Sequence, residues 1–229
     1  MSLEAEKTAA AQEDESEAIE RVSPASLSTR LAEFAWQRVD SEMVADCRVF
    51  QVRRDRSRSP RDAKVEHDFY CIEAPDWINI VPLTERNEVV LIEQYRHGSE
   101  EVTLEIPGGM VDAGESPLDA AARELLEETG YAPREILFLG KTRPNPAIQN
   151  NWIHTFLARD VTFKSEPVFE STEHTIVRLV PLAEIPALIA DGTINHSLVV
   201  VGFHWLSLYK DSLESGVESL RSKTYSFDS

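Results

Sequence analysis

The stretch GMVDAGESPLDAAARELLEETGY, residues 109–131, decides how the rest of the 229-residue chain is read. Its first part is a loop, because Asp112 and Gly114 bring turn chemistry to Met110–Glu115. Ser116 is an N-cap residue, and Pro117 suits the first helical position, where a missing N–H is no loss. Leu118, Ala121, Ala122 and Leu125 recur at helical spacing and predict an apolar stripe that packs on a sheet. Gly130 ends the helix where a left-handed residue is favoured. The opposite face is acidic. Glu124 and Glu128 stand one turn apart, Glu127 is three residues from Glu124, and Arg123 precedes Glu127 by four, within reach of an ion pair. Carboxylates so spaced can converge on a hard divalent cation, which takes oxygen ligands at about 2.0–2.6 Å. A bare E-x-x-E-E would otherwise read as a solvated helix face.

Gly109, five residues, Glu115, seven residues, then Arg123-Glu124-Leu125-x-Glu127-Glu128-x-Gly130 and the bulky Tyr131 resembles the signature of the Nudix hydrolases, with every fixed position filled. That resemblance implies an α/β/α sandwich with a mixed sheet and cleavage of a nucleoside diphosphate linked to another group. It implies magnesium or manganese held by Glu124 and Glu128, with Glu127 as a further ligand or supporting carboxylate. The Gly108 carbonyl would be an additional ligand, and Glu115 would orient the helix or reach the metal through water. Arg123, Gly109 and Gly130 would support the site. In the ADP-ribose pyrophosphatase branch a downstream loop glutamate is often the general base. The candidates here are Glu173, favoured because it directly precedes a strand, then Glu170, then Glu166. Arg96, in EQYR (93–96), stands where that branch places an arginine on the diphosphate. Pro144 and Pro146 fall where the branch carries a proline, whereas Ala147 to Asn151 depart from its loop. Asp76 to Asn79 together with EIPGG (105–109) resembles nucleoside diphosphate sugar hydrolases as much. Substrate binding is therefore expected at Arg96, Glu105, Trp77 and Pro146. Trp77, Phe69 or Tyr70 also offers a stacking surface for a base, with core packing as the alternative.

The whole chain carries a net charge of −17 and two cysteines, Cys47 and Cys71. Such acidity argues against nucleic acid as a partner, and the absence of a long apolar run argues against a membrane span. Two cysteines make no disulfide framework, so reduced thiols and a cytoplasmic location are expected. Residues 1–30 are expected as an acidic, disordered tail, with a short helix over 26–36. Residues 31–75 are expected as an N-terminal strand and hairpin segment, 76–210 as the hydrolase domain and 211–229 as a frayed tail. The pattern predicts a strand from Ala45 to Arg54 paired with Val65–Ile72 across a solvated loop, RRDRSRSPRDAK (53–64). Further strands are expected at 77–83, 89–95, 103–106, 136–141, 152–160 and 175–181, and helices at 182–191 and 198–209. The N-terminal hairpin resembles the segment that supports homodimers in the ADP-ribose branch, so a homodimer is expected. The expected activity is metal-dependent hydrolysis of ADP-ribose or a related nucleoside diphosphate sugar to a nucleoside monophosphate and a sugar phosphate. A GDP-mannose-type or broad nucleoside diphosphate sugar hydrolase is the alternative. A non-catalytic nucleotide-sugar sensor is the alternative from another class.

Overall fold

The computed structural model describes residues 34–168, 174–215 and 224–226. The tail expected at 1–30, most of the helix expected at 26–36, most of the tail at 211–229, and both Glu170 and Glu173 lie outside the described residues. The described chain divides into two compact units, one of residues 34–44 and 53–70, the other of 45–52 and everything from Cys71 on.

The first unit is a three-stranded antiparallel sheet in the order β1 (Gln37–Asp46), β2 (Gln51–Arg58), β3 (Glu66–Glu73), whose strand ends count with the second unit. Two expectations change here. The run read as one strand from Ala45 to Arg54 is broken by a turn at Asp46–Phe50. The Asp46 carboxylate accepts the Arg48 N–H at 3.0 Å, Cys47 N–H bonds Phe50 O at 2.9 Å, and Arg48 has φ +68°. An aspartate that captures the backbone two residues on offers the chain an alternative to the ladder. The arginine-rich stretch read as a solvated loop supplies β2 instead. Its charges find partners, with Arg56 forked onto Asp68 at 2.9 and 3.2 Å and Arg58 onto Glu66 at 2.9 Å. Opposite charges facing across a ladder support pairing that composition alone does not reveal.

In the second unit, alternation sets the layers. β4 (Trp77–Leu83) turns Ile78 and Ile80 to one face, and Val81 and Leu83 to the other. β5 (Glu88–Arg96) divides Val90 from Val89 and Leu91 in the same way. β6 (Glu101–Glu105) pairs with β5, and β7 (Gly108–Met110) pairs with β4. The motif helix, α1 (Pro117–Thr129), follows, then β8 (Tyr131–Ala132), β9 (Glu135–Thr142), β10 (Ile153–Arg159), β11 (Thr162–Phe163) and β12 (Thr175–Pro181). The main sheet runs β12-β5-β4-β10-β9, with β4 and β10 parallel and the remaining pairs antiparallel. β8 and β11 make a separate two-stranded ribbon.

Helices cover both faces. Ala120, Ala121 and Leu125 of α1 are fully buried against Ile78, Ile80, Val90, Ile136 and Phe156, while Leu118 and Ala122 pack at the margin. On the other face, Val199, Phe203 and Leu206 of α3 (Ser197–Ser215) meet Val81, Leu91, Leu137 and Leu157. The helix expected over 182–191 is a 3-10 turn, Leu182–Glu184, followed by α2 (Ile185–Ala190), because Pro186 is tolerated only in the first turn of an α-helix. α3 runs past the expected domain edge at residue 210. A short C-terminal strand, β13 (Thr224–Ser226), pairs with β9 where only a frayed tail was expected. The α/β/α sandwich is thus present, with α1 and β7 meeting over β4.

Candidate active site

Local chemistry fixes α1 at both ends. The Ser116 hydroxyl accepts the Asp119 N–H at 3.2 Å, and Gly130, at φ +73°, bonds Leu126 O at 2.8 Å. A side chain at Gly130 would be strained in φ and would collide with the Ser165 carbonyl. Between these caps, Arg123 organises the acidic face. Its Nε and Nη2 grip the Glu115 carboxylate at 2.9 and 3.0 Å, and Nη1 donates to Glu124 at 2.9 Å and Glu127 at 3.1 Å. Nη2 also reaches the Met110 carbonyl at 3.1 Å, tying helix to loop. The Arg123 fork is the main cause holding the Glu115 carboxyl below the usual carboxylate range; burial opposes it and the Asp112 N–H assists the fork. The Glu115 bond likewise raises the guanidinium's own pKa, with Glu124 and Glu127 adding to it.

Glu128 is 5% exposed and accepts the Gly108 N–H at 2.9 Å. Gly109 carries the second requirement, since a Cβ there would overlap the Glu124 carboxylate. Gly108 carries a third, since its Cβ would come within 2.6 Å of the Ile78 carbonyl and spoil the β4–β7 pairing. The donor set is all oxygen, and the bare Gly109 backbone leaves a cradle for the Glu124 carboxylate, so the residues fit a hard cation such as magnesium or manganese. Among the described residues no three His, Cys, Asp or Glu side chains converge at ion-holding spacing. The Arg123 guanidinium gathers Glu115, Glu124 and Glu127 to itself instead.

Beside the loop lies a cavity of about 460 Å³ with mainly apolar walls, among them Phe50, Trp77, Met110, Ile153, Leu198 and Val199. Its polar lining comes from Asn79, Arg96, Glu105, Gln149 and His196. Arg96 forks onto Glu105 with two bonds of 2.7 Å, and the Thr103 hydroxyl donates to the same carboxylate at 2.5 Å. Burial pushes the Glu105 carboxyl upward, but the Arg96 fork, the Thr103 bond and the nearby His196 outweigh it and hold it low.

Of the residues singled out from sequence, Trp77, Arg96, Glu105, Gly108 and Gly109 line the cavity, and Glu115, Arg123, Glu124, Glu127 and Glu128 gather on α1 and its loop. Pro146 is exposed and outside the cavity lining, although Gln149 of the same loop belongs to it. Phe69 and Tyr70 are exposed in the first unit, and Glu166 is exposed after β11. The sequence alone gives Asn79 and Gln149 no individual role beyond the stretches 76–79 and 147–151, and does not point to His196. Asn79 did leave a signal, as the single polar side chain inside the apolar run WINIVPL.

Residues 75–200 match the family model described as NUDIX domain. The chain is 32% identical over 167 residues to the CMP-5'-(N-acetyl-N-hydroxy-3-aminopropyl)phosphonate hydrolase of Streptomyces rubellomurinus, a match covering 73% of this chain and 80% of that one. It is 28% identical to the methanol dehydrogenase activator of Bacillus methanolicus, over 76% of this chain and 94% of the relative. It is 24% identical to the ADP-ribose pyrophosphatase of Bacillus subtilis, over 79% and 94% of the two chains. In fold it resembles the crystal structure of an ADP compounds hydrolase, with a TM-score of 0.68 at 24% identity over 80% of this chain and 96% of that one. A glutamate-rich helix capped by Gly130, braced by Arg123 and laid against a glycine strand inside this sandwich agrees with those matches, and the chain belongs to the Nudix hydrolases, enzymes acting on pyrophosphate bonds.

Proposed function

We propose that this hydrolase cleaves the diphosphate bond of ADP-ribose or a related nucleoside diphosphate sugar, releasing a nucleoside monophosphate and a sugar phosphate. The cavity carries the reading. Gly108, Gly109 and Met110 form part of its wall, so a group seated in it lies beside the loop that leads to the carboxylates. The relative named as an ADP-ribose pyrophosphatase supports the same choice. The relative named for a CMP-linked phosphonate favours the second reading, a GDP-mannose-type or broad nucleoside diphosphate sugar hydrolase without ADP-ribose preference.

In this reading Glu124 and Glu128, with Glu127 and the Gly108 carbonyl, would hold magnesium or manganese. A divalent cation supplies charge neutralisation for diphosphate oxygens and acidifies water. Arg123 sets the directions of Glu124 and Glu127 and locks Glu115 to the loop. Arg96, held by Glu105, presents a fixed positive charge on the cavity wall for the substrate's phosphates. Water oxygen bonds to one phosphorus, the bridging P–O bond breaks, and the bridging oxygen leaves on the other phosphate. Glu173 takes the water's proton, with Glu170 as second candidate. Support comes from the residues on either side of them. The Val168 N–H donates to the Glu127 carbonyl and the Thr175 hydroxyl to the Glu128 carbonyl, both at 2.9 Å, so the chain departs from and returns to the carboxylate turn.

The test is a hydrolysis panel with magnesium and with manganese on ADP-ribose, GDP-mannose, UDP-glucose, NADH, diadenosine polyphosphate and dATP. ADP-ribose as best substrate is the expected result, and equal turnover of several nucleotide sugars selects the second reading. Turnover confined to dATP or diadenosine polyphosphate overturns both.

A further inference from the structure

Two buried polar atoms in the cavity wall have no hydrogen-bond partner among the described residues. They are Oδ1 of Asn79 and Nδ1 of His196. Their situation differs from that of Arg96 and Glu105, which satisfy one another. Buried polar atoms in folded proteins are nearly always paired, so an orphan in a cavity marks a place where something else supplies the partner. The orientation of Asn79 is fixed by its other end, since Nδ2 donates to the Leu198 carbonyl at 2.8 Å. Turning the amide over would set oxygen against oxygen, so Oδ1 acts as an acceptor towards any ligand. The base of the His196 side chain is anchored too, because its backbone carbonyl accepts the Val199 and Val200 N–H groups at 3.0 and 3.1 Å in the first turn of α3.

We propose that Asn79 Oδ1 and His196 Nδ1 read the polar edge of the substrate's nucleobase, so that this cavity takes the base and not the sugar of the second phosphate. The proposal rests on the reading that the cavity receives the substrate of the motif carboxylates. Trp77, Ile153, Leu198 and Val199 give it apolar walls, which suit the two flat faces of a heterocycle. A polyhydroxylated ring would lay hydroxyls against these apolar walls, where an unpaired buried hydroxyl is costly. A base concentrates its polarity on one edge. There an N–H donor meets Asn79 Oδ1, and a ring nitrogen, carbonyl or amine meets His196 Nδ1, which donates or accepts according to its tautomer. Arg96 and Glu105, already joined, are left to the phosphate side of the cavity.

The test measures binding of AMP, CMP, GMP, UMP and ribose 5-phosphate to the full chain by calorimetry, for the natural protein, His196→Phe and His196→Asn. Phe keeps a ring and loses Nδ1, whereas Asn puts an amide nitrogen or oxygen close to where Nδ1 stands. At least one nucleotide should bind ten times or more tighter than ribose 5-phosphate. That preference should fall at least fivefold in His196→Phe and largely return in His196→Asn, with ribose 5-phosphate affinity changed less than twofold throughout. Equal affinity for the nucleotides and ribose 5-phosphate overturns the proposal, as does a preference untouched by His196→Phe. A fall in ribose 5-phosphate affinity matching that for the nucleotides also overturns it, because His196 would then serve the phosphate or the fold. Failure of the functional reading shows separately, as absence of nucleotide-sugar hydrolysis by the natural protein whatever the monophosphates do.

Discussion

Arg123 touches three carboxylates and a loop carbonyl, so its removal leaves like charges facing one another with nothing between them. Arg123→Ala is expected to lower kcat/KM by about two orders of magnitude and stability by about 1–3 kcal/mol, the range for unpaired buried partners. Arg123→Lys should recover the stability better than the activity, because an ammonium cannot fork onto Glu115 while also holding Glu124. Steady-state kinetics and denaturant melts separate the two effects. Arg96 and Glu105 make a different kind of pair, with Glu105 at 3% and Arg96 at 41% side-chain exposure. Arg96→Met strands a buried carboxylate and should cost about 3 kcal/mol, the low end of the range because the arginine is itself partly solvated. The folded-state pKa of Glu105 is lowered from an ordinary 4.5, so its contribution is complete above that value and disappears as pH falls through the lower folded value. Melting temperature should therefore drop as pH is taken from about 5 to about 3, less steeply in Glu105→Gln. Identical slopes for the two proteins would remove Glu105 from the acid transition. Glu173→Gln should reduce kcat by at least about a hundredfold, as expected for a lost general base. An unchanged kcat excludes it from the mechanism.

At the scale of elements, the hinge between loop and chemistry is the pair of glycines around α1. Gly109→Ala places a methyl against a side-chain carboxylate, which can move aside, so activity should fall far more than stability. Gly130→Ala places one against the Ser165 backbone at a positive φ, so stability should fall by more than about 1 kcal/mol. Equal thermal losses in the two variants would contradict this division. Much of this element was legible in sequence, because a cap residue, a proline, an apolar stripe and a terminal glycine all act within one turn of their neighbours. The same holds for β4, a short apolar run, and for β12, where alternation is local. What escaped the reading depends on distant partners. β7 needs the Ile78 carbonyl side of β4, and the arginines of β2 need Glu66 and Asp68 opposite them. The cavity escaped for that reason. Asn79 and His196 are far apart in sequence and meet around it only because the first turn of α3 lies beside β4.

For the whole molecule, the first unit presents Trp36, Val39, Met43, Val44, Phe69 and Tyr70 at 40–57% exposure, with Trp36 stacked edge-on to Phe69 at 5.0 Å. So much accessible apolar area on this small sheet and the residue leading into it favours a protein partner. We propose a homodimer through this sheet; light scattering at micromolar concentration should give twice the chain mass, and a monomer mass contradicts it. No helix among the described residues is long and apolar enough to cross a membrane. The net charge of −17 leaves Arg96 on the cavity wall, or a bound cation, to offset an anionic substrate at the site. The most direct test compares the natural protein with Glu128→Gln on ADP-ribose in magnesium, separating AMP and ribose 5-phosphate by chromatography. The account predicts both products from the natural protein and at least about a hundredfold less from the variant. Equal product from the two proteins, or none from either, would contradict it.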